Sequence, residues 1–151
     1  MSPTDLYTTD FYAWTRHQAA LLRDGKARDL DWEHLAEEMD DLGDSKLQAL
    51  ESHLRVLLAH LLKLTYAGPH DVERAGRGWR LTCTAQRLDI ATVLRRSRTL
   101  RHELAPALAE SYPKARLDAA IGLDCEVTAF PATCPWDLER QVLADDFFPA
   151  A

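Results

Sequence analysis

Between Ser45 and Tyr66, leucines recur at positions 47, 50, 54, 57, 61 and 64, in alternating steps of three and four residues. That spacing lays all six along one stripe of an α-helix, and Leu58 and Leu62 widen it. Twenty-two residues at ~1.5 Å each predict a rod of about 33 Å, as long as a small domain is wide. So long an apolar stripe must be covered, and the rest of the chain is expected to wrap it.

The flanking segments carry their own helical periods. Asp10 is a good N-cap for FYAWTRHQAALLRD, which Gly25 should stop; Phe11, Trp14, Leu21 and Leu22 share its apolar face, with Gln18 in the middle. Asp31 opens a second helix, LDWEHLAEEMDDLG, with Trp32, Leu35, Met39 and Leu42 inward and Gly43 as its end. A turn at Gly43–Asp44 then leads into the leucine helix as an antiparallel neighbour or a tight corner, and Gly68–Pro69 closes that helix. A fourth helix should start between Asp71 and Trp79 and run through RLTCTAQRLDIATVLRRS. It has two apolar faces: Trp79, Cys83, Ile90, Val93 and Leu94 on one, and Leu81, Ala85, Leu88 and Thr92 nearly opposite. Such a helix is expected to be packed on both sides. Gln86 interrupts the first face as Gln18 does in helix one. Residues 99–121 are helical in spacing, with Pro106 and Pro113 predicting kinks or two pieces. A loop-like stretch follows Gly122. A short last helix is expected over Trp136–Ala144, with Pro135 at its start and Thr133 or Cys134 capping it; Phe147 and Phe148 should fold back as a plug.

Composition adds little to this outline. A chain of 151 residues with 46% hydrophobic and 28% charged residues reads as one globular domain. No apolar run reaches the ~20 residues of a membrane span, and the first dozen residues carry no secretory pattern. Cys83, Cys125 and Cys134 lack CxxC spacing, which fits unpaired thiols in a reducing cytoplasm and small core residues. Charge is more informative. Residues 1–44 carry eleven acidic side chains against four basic, a net −7, whereas residues 71–102 carry eight arginines against three acids, a net +5. Mutual packing of an acidic and a basic helix is the expected use of such blocks. The acidic total and the scarcity of interleaved aromatics argue against nucleic acid.

Candidate chemistry is sparse. If helices two and three form a hairpin, His34 lies opposite His53, and His60 stands two turns on; with Glu37 or Glu38 these make a weak metal set. The doubled Glu-x-x-His of di-iron bundles is missing, and ~10.5 Å of rise separates His53 from His60. No nucleophile stands beside a base, and no glycine-rich phosphate loop is present. Gln18 and Gln86 are expected to hydrogen-bond each other or the backbone. Glu33, Glu37 and Glu38 could accept Arg80 and Arg87, as a structural layer or as the polar lining of a cleft.

Taken together, DFYAWTRHQAALLRDG, LDWEHLAEEMDDLGDS, LLAHLLKL, GWRLTCTAQRLDI and FPATCPW resemble the bacterial domain-of-unknown-function family 29 over nearly the whole chain. The resemblance implies a small helical bundle and supplies no activity. Positions matching the family pattern include Gln18, Glu33, Leu35, Glu37, Glu38, His60, Lys63, Trp79, Gln86 and Arg87. Lys46 departs from it where an acid is expected, and Leu64 stands where tryptophan is usual. His34 matches within Glu-His-Leu and His53 does not, which favours Glu37, Glu38 and His60 over the three-histidine set.

The expectation is one all-α domain over residues 1–151, a bundle of five to six helices around a long central helix at about 45–66, soluble and cytoplasmic. The leading function is a module that works through a protein partner or as a homo-oligomer, without nucleic acid or membrane. The alternative is a small-molecule-binding or hydrolytic bundle with a polar pocket from Glu37, Glu38, His60, Gln86 and Arg87, with Gln18 nearby. The weaker alternative is a metal-binding bundle. No motif names a cofactor, and none decides whether the chain is an enzyme.

Overall fold

The computed structural model describes the backbone of residues 3–150 and the side chains of residues 5–150; Met1, Ser2 and the last residue of the FFPAA tail lie outside the described residues. Five α-helices follow in order: α1 (Pro3–Thr9), α2 (Phe11–Arg23), α3 (Trp32–Tyr66), α4 (Pro69–Arg96) and α5 (Leu104–Leu123). A sixth helical element, a π-turn at Leu138–Val142, and 3-10 turns at Ala27–Asp29, Arg98–Glu103 and Val127–Ala129 complete them. Among the described residues there is no strand, so the fold is all-α. No helix among them is long and apolar enough to cross a membrane.

The chain divides into two compact units, residues 1–45 and 46–151. In the second, the leucine stripe is the core. Leu50, Leu54, Leu57, Leu58, Leu61 and Leu62 have no exposed surface and pack with Cys83, Ile90 and Leu94 of α4 and with Leu104, Ala107, Tyr112, Ala115 and Ala119 of α5. Burying one such leucine contributes roughly 1.5–3 kcal/mol, so the stripe dominates this unit's stability. Phe147 and Phe148 fold back onto the same core, as their place in the sequence suggested.

Several boundaries differ from expectation. Gly43 ends nothing: α3 runs without a break for 35 residues, so the Gly43–Asp44 turn and the hairpin built on it do not form. Among the described glycines only Gly25 has a positive φ, the conformation a helix stop needs, and it does stop α2 at 67°. A mid-helix glycine costs only ~1 kcal/mol relative to alanine, which a long helix absorbs. Helix α4 begins earlier than expected, at Pro69, because proline in the first turn lacks only an N–H that would be unpaired there anyway. Its Gly76 is buried where a Cβ would come within 3.2 Å of Val72 Cγ1 and 3.9 Å of Leu64 Cδ2, which is why a glycine fits. Helix α5 continues through Pro113 as one piece and ends on Asp124 in the left-handed region (φ 51°). The last helix is a π-turn capped by Asp137, whose carboxylate accepts from Arg140 N at 2.7 Å. Helix α1 had no sequence signal beyond Pro3 and one apolar pair.

The second face of α4 is not covered. Cys83, Ile90 and Leu94 are buried, but Leu81 and Leu88 on the opposite face are 62% and 63% exposed.

Candidate functional site

In the first unit one carboxylate organises the polar contacts. Asp31 Oδ2 accepts from the Trp14 indole Nε1 at 3.1 Å and from His34 Nδ1 at 2.8 Å, while its own backbone N–H donates to Gln18 Oε1 at 2.9 Å. Burial works against the Asp31 charge, but the His34 and Trp14 hydrogen bonds outweigh it and hold this carboxyl below its ordinary range. The same bond raises the His34 pKa. The Tyr7 ring stacks on the His34 ring at 3.8 Å, and its hydroxyl donates to Glu38 Oε1 at 2.7 Å. Donation to that carboxylate pushes the Tyr7 phenol up to about 12.

Beside this network lies an open groove of about 480 Å³ between α2 and the first turns of α3. Phe11, Trp14, Ala19 and Leu22 line one wall, and Leu35, Met39 and Leu42 the other, with Glu38 and Asp41 among the polar members. Met39 and Leu42, expected to face inward, are 62% and 55% exposed. Gln18 also lines the groove; it is 1% exposed, and its Nε2 is buried without an acceptor. A buried donor left unpaired costs about 1–3 kcal/mol, so an acceptor supplied there would be favourable.

The residues singled out from sequence take separate partners. Glu37 and Glu38 belong to the first unit, where Glu38 holds Tyr7 and Glu37 is exposed. His60, Gln86 and Arg87 belong to the second. His60 Nδ1 donates to the Val56 carbonyl at 2.8 Å, and burial lowers its pKa. Gln86 Oε1 accepts from His53 Nδ1 at 2.7 Å, so Gln18 and Gln86 each bond within their own unit. Arg87, 4% exposed, donates to the carbonyls of Val142 (2.9 Å), Gln141 (3.3 Å) and Phe147 (2.7 Å) and lies 5.2 Å from the Phe148 ring centroid. It is the clamp of the C-terminal tail, and burial lowers its pKa. Helix continuity through Gly43 removes the hairpin on which the His34, His53 and His60 metal set depended, and each of these histidines has its own partner. Among the described residues, no three His, Cys, Asp or Glu side chains are placed to hold one ion. Cys83 is buried and its thiol pushed up to about 11 by that burial, whereas Cys125 is exposed, unlike the core residue expected.

What sequence reasoning missed is the groove itself. The apolar periods that hold Leu22, Met39 and Leu42 look the same whether a face is covered or bare. In the sequence Asp31 offers no more than a helix cap.

No curated protein and no solved structure matches this chain. A family model described as "Domain of unknown function DUF29" matches residues 6–148, nearly the full length. The chain therefore belongs to the DUF29 family.

Proposed function

We propose that the chain is a protein-interaction module whose first unit docks an amphipathic helix with basic flanks into the groove between α2 and α3. The observation that carries this is the groove: apolar along both walls, open, and rimmed by carboxylates. The furrow between two helices can seat a further helix, which reads as apolar anchors at i, i+4 and i+7. Large exposed apolar side chains gathered in one place, rather than scattered singly, mark an interaction surface. Glu38 and Asp41 on the groove, within a segment of net charge −7, favour a basic ligand and disfavour an acidic one.

The test is a labelled helical peptide with leucines at i, i+4 and i+7 and lysines elsewhere, titrated with the full chain by fluorescence anisotropy. Saturable binding is expected that weakens as salt rises and that Met39→Lys reduces on the order of tenfold, the effect of removing one apolar anchor. Absence of saturable binding, or binding indifferent to Met39→Lys, overturns the proposal. Met39 is largely exposed, so its replacement leaves the fold intact.

A further inference from the structure

Resting on that docking groove, the identity of its occupant follows from the second unit: we infer that the groove takes the exposed face of α4 from a second copy of this chain. Three observations converge on that helix. Leu81 and Leu88 are seven residues apart on one face, about 62% and 63% exposed, with the exposed Thr84 and Ala85 between them. A helix whose sequence calls for cover on two sides is thus covered on one. Around that apolar centre the exposed Arg77, Arg80 and Arg95 outnumber the exposed Glu73 and Asp89, in a segment of net charge +5.

The groove is complementary in both pattern and charge. On its α3 wall Leu35 and Leu42 are also seven residues apart, so both pairs of leucines repeat every ~10.5 Å along their helices. Along α2 the lining runs from Phe11 to Leu22, about 16 Å, long enough to hold a stripe spanning Leu81 to Leu88. Rim carboxylates Glu38 and Asp41 would meet the bordering arginines, and opposite potentials both speed encounter and fix register. A single chain therefore carries an open apolar groove between two helices and a helix lacking its second cover. Groove and stripe are different surfaces, so each copy can lend its stripe to a neighbour and take another into its own groove.

Sedimentation velocity of the full chain over a concentration series tests this. Wild type should self-associate, and Leu88→Glu in the stripe or Met39→Lys in the groove should each give monomers. The decisive arm mixes the two variants: one retains an intact groove and the other an intact stripe, so a one-to-one complex should appear that neither forms alone. Circular dichroism checks that each variant is folded, and the double charge reversal Arg77→Glu with Arg80→Glu supplies a second stripe variant should Leu88→Glu misfold. A wild type that stays monomeric at every concentration overturns the inference. So does self-association that survives the stripe variants, or a mixture that stays monomeric. The groove reading is judged separately, by the leucine–lysine peptide: if that peptide binds while wild type remains monomeric, the groove docks helices and α4 is not its occupant; if neither occurs, both fall.

Discussion

Trp14, Gln18 and His34 all terminate on Asp31, two through its carboxylate and one through its backbone N–H. With Tyr7 stacked on His34, a single aspartate fixes three elements of the first unit. Replacing it with alanine strands the Trp14 indole and the His34 ring at once, and Asp31→Ala should cost about 1–3 kcal/mol in chemical denaturation. The pair also sets a pH dependence. His34 has a raised pKa, so its contribution is complete below ~6.5 and fades as pH rises through the higher, folded-state value. Asp31 has a lowered pKa, so its contribution holds above the ordinary carboxylate range and is lost as pH falls through the lower value. The share of stability owed to this pair should therefore be greatest between about pH 4 and 6.5 and decline toward pH 8. Because the lowered pKa of His60 acts in the opposite sense, that share is read as the difference between the pH profiles of wild type and Asp31→Asn. An NMR titration giving His34 a pKa at or below the ordinary value would contradict the sign. The presence of Asp31 at a helix start was legible in the sequence; the three partners were not, because they come from α2 and α3 and depend on how those helices meet.

At the scale of elements, the C-terminal tail is held by one side chain. Arg87 gives three hydrogen bonds to carbonyls of residues 141, 142 and 147 and its face to Phe148. Arg87→Met keeps the stem and deletes every donor, leaving the Val142 and Phe147 carbonyls without this partner while Gln141 keeps the Ala144 N–H; a loss of roughly 2–4 kcal/mol is expected. Hydrogen exchange should show where: amides of the Leu138–Val142 turn and the tail should lose protection well before those of the leucine stripe. Sequence pattern had placed Arg87 in a polar site with acids, since an arginine among apolar residues advertises a charged partner. Backbone carbonyls satisfy the same need, and no local pattern distinguishes the two. The regular helices were legible for the opposite reason: the leucines of α3 bury one face completely, and a buried face writes its period into the chain. The 3-10 turns bury none of their own residues and wrote none, whereas the last helix was marked by Pro135 rather than by a period.

For the whole molecule, an all-α fold followed from periodicity alone, while its division did not. The sequence places a glycine, an aspartate and a serine in a row at residues 43–45, the usual punctuation between two helices, yet α3 passes straight through them. Every residue from Asp41 to Lys46 is exposed, so no packed neighbour reinforces this stretch. Its hydrogen bonds rest on intrinsic helix propensity, in residues that are poor at it. A protease needs an unwound segment of several residues; outside the loops, where the chain is already extended, this helical turn is the least reinforced. Among helical aspartates, endoproteinase Asp-N should cut first before Asp40, Asp41 or Asp44, ahead of Asp71, Asp89 and Asp118 in the packed helices. Gly43→Ala, about 1 kcal/mol better in a helix, should slow that cut about fivefold if opening is rapid and reversible. The middle of the longest helix would then be the place where a helix of this chain is most easily severed.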